Sequence, residues 1–411
     1  MRAKSTKMYW GLGSLLLFTV SCSFFASPPM EPVPVAPVAS PTPVVVVEEP
    51  SSPDVILPPA NLNLPNGVVT AKDGVLTLFD FEGYTLVQVK PPYVNPENLH
   101  IAEKIPDGGT NIPLIYYSFE QNNSILSYSY GQTITLKSVP YFAGIVGTRS
   151  QPFIAYTTAE FGDDALISNL YLGSPGTLPT SEPVLSDFDP QGWALRAVAI
   201  DMNEDQPIGI WYTKQPWGIG GDIVFQPGRT LSYLDLKSRA AYQYLGAEAN
   251  PSVLSADRKW VAYTNDASVE AGGGAMAFRS FETGNNISFP LLEAIDQRGA
   301  GEASFSPSNQ YLAWMEASGW QMSETPNFHS LVRVGNLNGN IVAQFADTAF
   351  LTVSGMSTIQ RVEPVGWIDD NTLVVMVRGE YWDDAVLVMI DIDSQAMNLL
   401  ARGIFVDFTY P

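Results

Sequence analysis

Cysteine occurs once in the 411 residues, at Cys22, and histidine only at His100 and His329. A single cysteine excludes a disulfide within the chain, so an exported domain must be held by its core alone. Two histidines far apart supply no zinc or copper site, and no metal or cofactor is expected. Basic residues are also few: 21 Lys and Arg stand against 42 Asp and Glu, a net charge of −21. Binding a polyanion requires clustered cations that displace its counterions, so nucleic acid is excluded as a partner. Adhesion to an anionic membrane surface through charge is excluded with it. No G-x-S-x-G elbow is present, which removes the nucleophile signature of an α/β-hydrolase. A Ser-His-Asp set would have to draw on one of the two histidines, and neither carries a local signature. Both read as ordinary loop or surface residues, and no catalytic residue is assigned.

What the chain does have begins with an export signal. Arg2, Lys4 and Lys7 precede an apolar run over 8–20, and Ser21 precedes Cys22. The run falls short of the ~20 residues that a spanning helix needs, and a signal peptide fits it. The segment "FTVSC" resembles the lipobox of bacterial lipoproteins, where a small residue precedes a cysteine that takes a diacylglycerol thioether. Val20 and Ser21 conform, while Thr19 stands where an aliphatic residue is usual. The resemblance implies a signal peptide over 1–21 and lipidation at Cys22. It also implies anchorage on the outer side of the cytoplasmic membrane or in the outer membrane. The alternative is an uncleaved anchor helix running to Phe25, which also leaves the remainder outside the cytoplasm.

Residues 22–60 form a lipidated N-terminus and linker. Eleven prolines fall between Pro28 and Pro59, which prevents helix and ladder formation and favours polyproline II. At ~3 Å per residue this tether reaches up to about 100 Å. Pro41, Pro43, Glu48, Glu49 and Pro50 flank the Val44–Val47 run and act as gatekeepers against its β-aggregation.

Residues 61–411 show short apolar runs between Gly, Pro, Asn and Asp, the pattern of an all-β fold. "PFIAYTT" (152–158), "KWVAYTN" (259–265) and "QYLAWME" (310–316) superpose position by position. "PLIYYSF", "GIWYTK" and "TLVVMV" fit more loosely. The anchor aromatics Tyr117, Tyr156, Tyr212, Tyr263 and Trp314 lie 39 to 56 residues apart. Each anchor has an upstream strand ending in a polar turn, such as "SADRKW" or "SPSNQY", and a downstream strand such as "NLYLGS" or "LSYLDLKS". Four antiparallel strands recurring near 50 residues are what a β-propeller blade requires.

The "SADRKWVAY", "SPSNQYLAW" and "IDDNTLVV" segments resemble the Ser-Pro-Asp-Gly-Lys turn and strand of TolB-like, WD-repeat-like propellers, although no copy keeps the whole turn. The resemblance implies a single β-propeller over 61–411 and leaves activity open, because such propellers serve many functions. Seven four-stranded blades are expected, with six as the alternative. The seventh is split, with "GVLTLFDFEGYTLVQV" (74–89) as outer strands and "IFVDFTYP" (404–411) as the inner one, which removes exposed edges.

"DMNEDQ" (201–206) superficially resembles a calcium loop but lacks the required Gly and distant Glu, and reads as a solvated turn. Paired carboxylates for glycoside hydrolysis cannot be picked out, since acids sit in nearly every turn. The loops between second and third strands are long and unlike one another, as ligand-binding loops on a rigid frame are. They carry the candidate ligand-binding residues Trp217, Asp222, Arg229, Trp320, His329, Tyr381, Trp382 and Asp383. Aromatic rings beside acids suit a protein, peptide or glycan that stacks and hydrogen-bonds. The competing expectation is that these aromatics fold inward and plug their own loops. The sequence thus points to a monomeric, envelope-anchored binding platform. A propeller glycoside hydrolase or lyase using acids of the same face, and an accessory subunit of an envelope complex, are the alternatives.

Overall fold

The apolar runs of the repeat are too short for long helices and too uniformly apolar for a sheet with one wet face, so both sides must be covered. The computed structural model shows how. It describes residues 64–411 except 93–94, 96–97, 102–108, 149–152, 218–223, 226–227, 266–273, 294–297, 320–327, 382 and 411. The segments expected to be a signal peptide and a tether, with Cys22, lie outside the described residues.

The described strands form seven four-stranded antiparallel sheets. Blade 1 takes its inner strand from the C-terminus, β28 (Ile404–Thr409), followed by β1 (Gly67–Lys72), β2 (Val75–Phe79) and β3 (Thr85–Val89). From the inside outward, blade 2 is β4 (Leu99–Ile101), β5 (Leu114–Ser118), β6 (Ser124–Ser129) and β7 (Gln132–Ser138). Blade 3 is β8 (Phe142–Gly147), β9 (Ile154–Phe161), β10 (Leu166–Gly173) and β11 (Pro183–Asp189). Blade 4 is β12 (Trp193–Asn203), β13 (Gln206–Pro216), β14 (Arg229–Asp235) and β15 (Ala241–Leu245). Blade 5 is β16 (Asn250–Leu254), β17 (Trp260–Thr264), β18 (Met276–Ser280) and β19 (Asn286–Ser288). Blade 6 is β20 (Arg298–Phe305), β21 (Tyr311–Ser318), β22 (His329–Asn336) and β23 (Ile341–Ala346). Blade 7 is β24 (Arg361–Trp367), β25 (Thr372–Arg378), β26 (Ala385–Asp391) and β27 (Met397–Arg402). The fold is a seven-bladed β-propeller.

The expected split blade is present, with one addition. β1, just before the segment singled out in the sequence, is the strand that receives β28, pairing Gly67 with Thr409 and Val68 with Phe408. Asn66 N–H donates to the Thr409 carbonyl at 2.9 Å and extends the ladder.

The core is not one mass but seven slices, one at each junction between blades. Successive residues of a second strand face opposite neighbours, because side chains alternate across a strand. On β5, Leu114 and Tyr116 pack with Val69 and Leu78 of blade 1, while Ile115 and Tyr117 pack with Phe142 and Tyr156 of blade 3. On β25, Leu373, Val375 and Val377 join blade 6, while Val374 and Met376 join Val68 and Phe408 of blade 1. Burial on both faces explains why these strands read as continuous apolar runs. Each fully buried Val, Leu or Tyr contributes roughly 1.5–3 kcal/mol of transfer free energy.

The polar turn of the repeat also has a physical reading. The Ser255 hydroxyl accepts the Trp260 N–H at 2.9 Å, and Ser306 does the same for Tyr311 at 3.1 Å. The serine closes the hairpin between first and second strands, so its place in the repeat is structural. Among the described residues no helix is long and apolar enough to cross a membrane.

Candidate functional site

Inner strands all run the same way from the blade-to-blade connections, so the hairpins between second and third strands emerge beside those connections on one face of the ring. Of the expected site residues, Trp217, Arg229, His329, Tyr381 and Asp383 are described and lie on this face. Asp222, Trp320 and Trp382 lie outside the described residues. The five are spread over blades 4, 6 and 7, and their environments differ.

Trp217 is half-buried and turns back toward blade 3. Its N–H donates to the Gly192 carbonyl at 2.9 Å, and its ring packs with Ala159, Leu166 and Ala194. Farther along the same loop, Val224 and Phe225 are buried against Met315, Ala317 and Phe328 of blade 6. The loop therefore spreads sideways over the face, and these two parts of it are plugs.

Arg229 is held in an ion network at the junction of blades 3 and 4. Its Nη2 donates to Asp189 Oδ2 at 2.8 Å and its Nη1 to Gln191 Oε1 at 2.6 Å. Its guanidinium lies over the Trp193 ring, 4.3 Å from the centroid. Lys214 Nζ contacts Asp187 at 2.6 Å and Asp189 at 3.1 Å. Burial alone would raise the pKa of Asp189, but hydrogen bonds from Lys214 and from the backbone of Gln191 and Trp193 outweigh it and hold the carboxyl below its ordinary value. Lys214 is pushed up in turn, burial being overcome by the two carboxylates.

His329 is exposed, with Nδ1 3.1 Å from Asp347 Oδ2. His100 places Nε2 2.9 Å from the Thr148 carbonyl, and Gly147 leaves room for its ring, which a Cβ there would strike. Tyr381 is 68% exposed and Asp383 is exposed beside it. Asp201, from the segment likened to a calcium loop, is instead a buried strand residue whose Oδ2 accepts the Trp211 Nε1–H at 2.7 Å.

Two features were not singled out in the sequence. The first is a set of exposed rings, Phe119, Tyr141, Phe161 and Phe188, on the same face of blades 2 and 3. Phe161 ends β9, but nothing in a short strand shows whether its last residue has outrun its neighbours. The second is a charged group near the axis: Arg196 on β12, Glu302 on β20, Arg361 and Glu363 on β24, and Arg378 on β25. Arg361 Nε contacts Glu363 Oε1 at 2.6 Å, and its Nη2 lies 3.7 Å from Glu302 Oε1. Arg378 Nη2 is 3.6 Å from the other Glu363 oxygen. Arg361, Glu363 and Arg378 share the first hairpin of blade 7, while Arg196 and Glu302 come from the inner strands of blades 4 and 6, far away in sequence.

No family model matches the sequence, and no curated protein matches it. Solved structures do. TolB from Acinetobacter baumannii is similar at 16% identity with a TM-score of 0.42, covering 71% of this chain and 65% of TolB. Oligogalacturonate lyase from Vibrio parahaemolyticus is similar at 12% identity and a TM-score of 0.45, covering 82% and 85%. Prolyl oligopeptidase B from Galerina marginata is similar at 10% identity and a TM-score of 0.45, covering 85% of this chain and 52% of that one. The likeness is one of fold alone, and the chain spans less than two thirds of TolB and about half of the oligopeptidase.

Proposed function

We propose that this protein is a lipid-anchored, extracytoplasmic binding platform whose long-loop face engages a protein or peptide partner. The observation that carries the reading is the distribution of exposed rings. Among the described residues, Phe119, Tyr141, Phe161, Phe188 and Tyr381 are exposed at the long-loop face, against Tyr84 and Tyr130 at the opposite one. Rings left in water at one end of a rigid frame mark an interaction surface.

Acids accompany them. Glu120 follows Phe119, Glu160 precedes Phe161, and Asp163 and Asp164 follow it; Glu380 and Asp383 flank Tyr381; all are exposed. Rings interleaved with carboxylates suit Lys and Arg side chains, which stack on the one and pair with the other. A glycan uses the rings without needing the charge. A protein or peptide presenting basic side chains is the better match to a chain of net charge −21.

The anchor rests on the sequence alone: Cys22 in its lipobox-like setting, followed by the Pro-rich tether, holds the propeller away from the bilayer. The glycosidase or lyase reading would draw on Glu302 and Glu363. Arg361 lies against both, so neither carboxylate stands apart from a cation as the acid and base pair of that reading would.

The test compares wild type with a Phe119→Ala, Phe161→Ala, Tyr381→Ala triple variant in capture from native membranes and on peptide and glycan arrays. The expected result is loss of basic-peptide binding and of captured partners with an unchanged melting temperature. An identical binding profile for the two proteins would overturn the reading, and binding restricted to glycans would transfer it to a carbohydrate ligand.

A further inference from the structure

Below the spread loop of blade 4 lies a cavity of about 230 Å³, wedged between the inner strands β12, β16 and β20. Phe225 roofs it, and Arg196, Gln215, Asn250, Ser252 and Glu302 are among its walls. Arg196 Nη1 donates to Gln215 Oε1 at 2.7 Å, and its stem packs in the space left by Gly144 of β8. Behind Glu302 stand Arg361, Glu363 and Arg378, so three arginines face two glutamates. Around this axis the sign of the charge is the reverse of that of the chain as a whole, which carries −21.

We propose that this cavity binds a small carboxylate, with the acid group against Arg196 and hydroxyl or amide groups met by Gln215, Asn250 and Ser252. The site is separate from the exposed rings of the outer face and does not depend on them. A guanidinium presents a planar fork of donors that matches a carboxylate. The apolar part of the lining, from Phe225, Leu231, Val253 and Val261, suits the carbon body of the ligand. The volume lies below the ~300–1,000 Å³ of most drug-sized pockets, which limits the occupant to a monosaccharide acid or the C-terminal residues of a peptide.

Binding is coupled to a proton through Glu302. Loss of hydration inside the ring raises its pKa and the Glu363 charge adds to this, against the opposing pull of Arg361, Arg378 and Arg196. An incoming anion favours the protonated form further. Affinity for the carboxylate therefore increases as pH falls through the titration of Glu302, by at most about tenfold per pH unit for one linked proton.

The test is calorimetric titration of the full chain with glucuronate and with N-acetyl-Ala-Ala, each against its uncharged counterpart, glucose and the dipeptide amide. At acidic pH one acid is expected to bind and its counterpart not to, with affinity weakening as pH rises through the titration of Glu302. Arg196→Gln is expected to abolish binding, and so is Ser252→Tyr, which fills the cavity from an exposed position and leaves the charges in place. Glu302→Gln is expected to retain binding and flatten its pH dependence. Which acid binds separates a sugar acid from a peptide terminus. The proposal is overturned if neither acid binds, or if binding survives Ser252→Tyr in a protein with the wild-type melting curve. A pH slope that persists in Glu302→Gln overturns the linkage.

Discussion

Arg258 of blade 5 donates from Nε to Asp201 Oδ1 of blade 4 at 2.9 Å, across the junction of the two blades. Arg258 occupies the position that is glycine in the Ser-Pro-Asp-Gly-Lys turn, and its φ of +59° is left-handed. A side chain there costs roughly 1–2 kcal/mol. The arginine offsets this cost by closing a three-way contact, since Asp201 also takes the Trp211 Nε1–H, and Arg258 Nη1 reaches the Ser255 carbonyl at 3.0 Å. Arg258→Ala keeps the strained backbone and strips a buried carboxylate of one partner, so a loss of about 2–4 kcal/mol is expected. Arg258→Gly relieves the backbone and should lose less. Denaturant melts of the two variants check the order, and a glycine variant less stable than the alanine one would contradict it.

Ring closure depends on the last strand. Deleting 404–411 removes β28, opens blade 1 and exposes Val68, Val374 and Met376, which pack around Phe408. Losing several such contacts exceeds the 5–15 kcal/mol by which domains are stable, so the truncated protein should show no cooperative melt. A subtler probe is Gly366→Ala, whose Cβ would meet the Phe408 ring. It should lower the melting temperature by several degrees, as differential scanning calorimetry would show.

The contrast between what the residues announce and what they conceal has a physical basis. The blades were legible because a strand buried on both faces must be apolar throughout, and the Ser255 and Ser306 turns repeat one hydrogen-bond solution. The split blade was legible from ring closure, although β1 was missed: "GVVTAK" is short and ends at a turn with Asp73 at φ +52°. The site was less legible. Trp217 and Phe161 both sit at loop bases, yet one is packed and the other exposed, and only the chain path over blade 3 decides which. Arg196, Glu302 and Arg361 come from three blades, so no local spacing joins them.

The Asp189 network should govern acid stability at the junction of blades 3 and 4. Its folded pKa is below the unfolded value, so the stabilisation is complete above about pH 4 and is lost as pH falls through the folded value. Asp189→Asn removes the charge that Lys214 and Arg229 share. The variant should be less stable at pH 7 by about 1–3 kcal/mol, and its stability should fall less steeply than that of wild type below pH 4. Parallel acid limbs for the two proteins would show that Asp189 carries no linked proton.

Trp217 and Phe161 provide the decisive pair for the long-loop face. Trp217 packs with Ala159, Leu166 and Ala194, so truncation leaves a cavity and should cost about 3 kcal/mol. Phe161 has its ring in water at the end of β9, and truncation there should change stability by less than about 0.5 kcal/mol. If partner capture depends on exposed rings, Phe161→Ala weakens it at constant stability. Trp217→Ala then lowers the melting temperature while capture below that temperature remains. The reverse pattern, with capture lost in Trp217→Ala alone, would move the binding surface from blades 2 and 3 to the loop of blade 4. Melting curves and capture measured on the same two preparations distinguish the two outcomes.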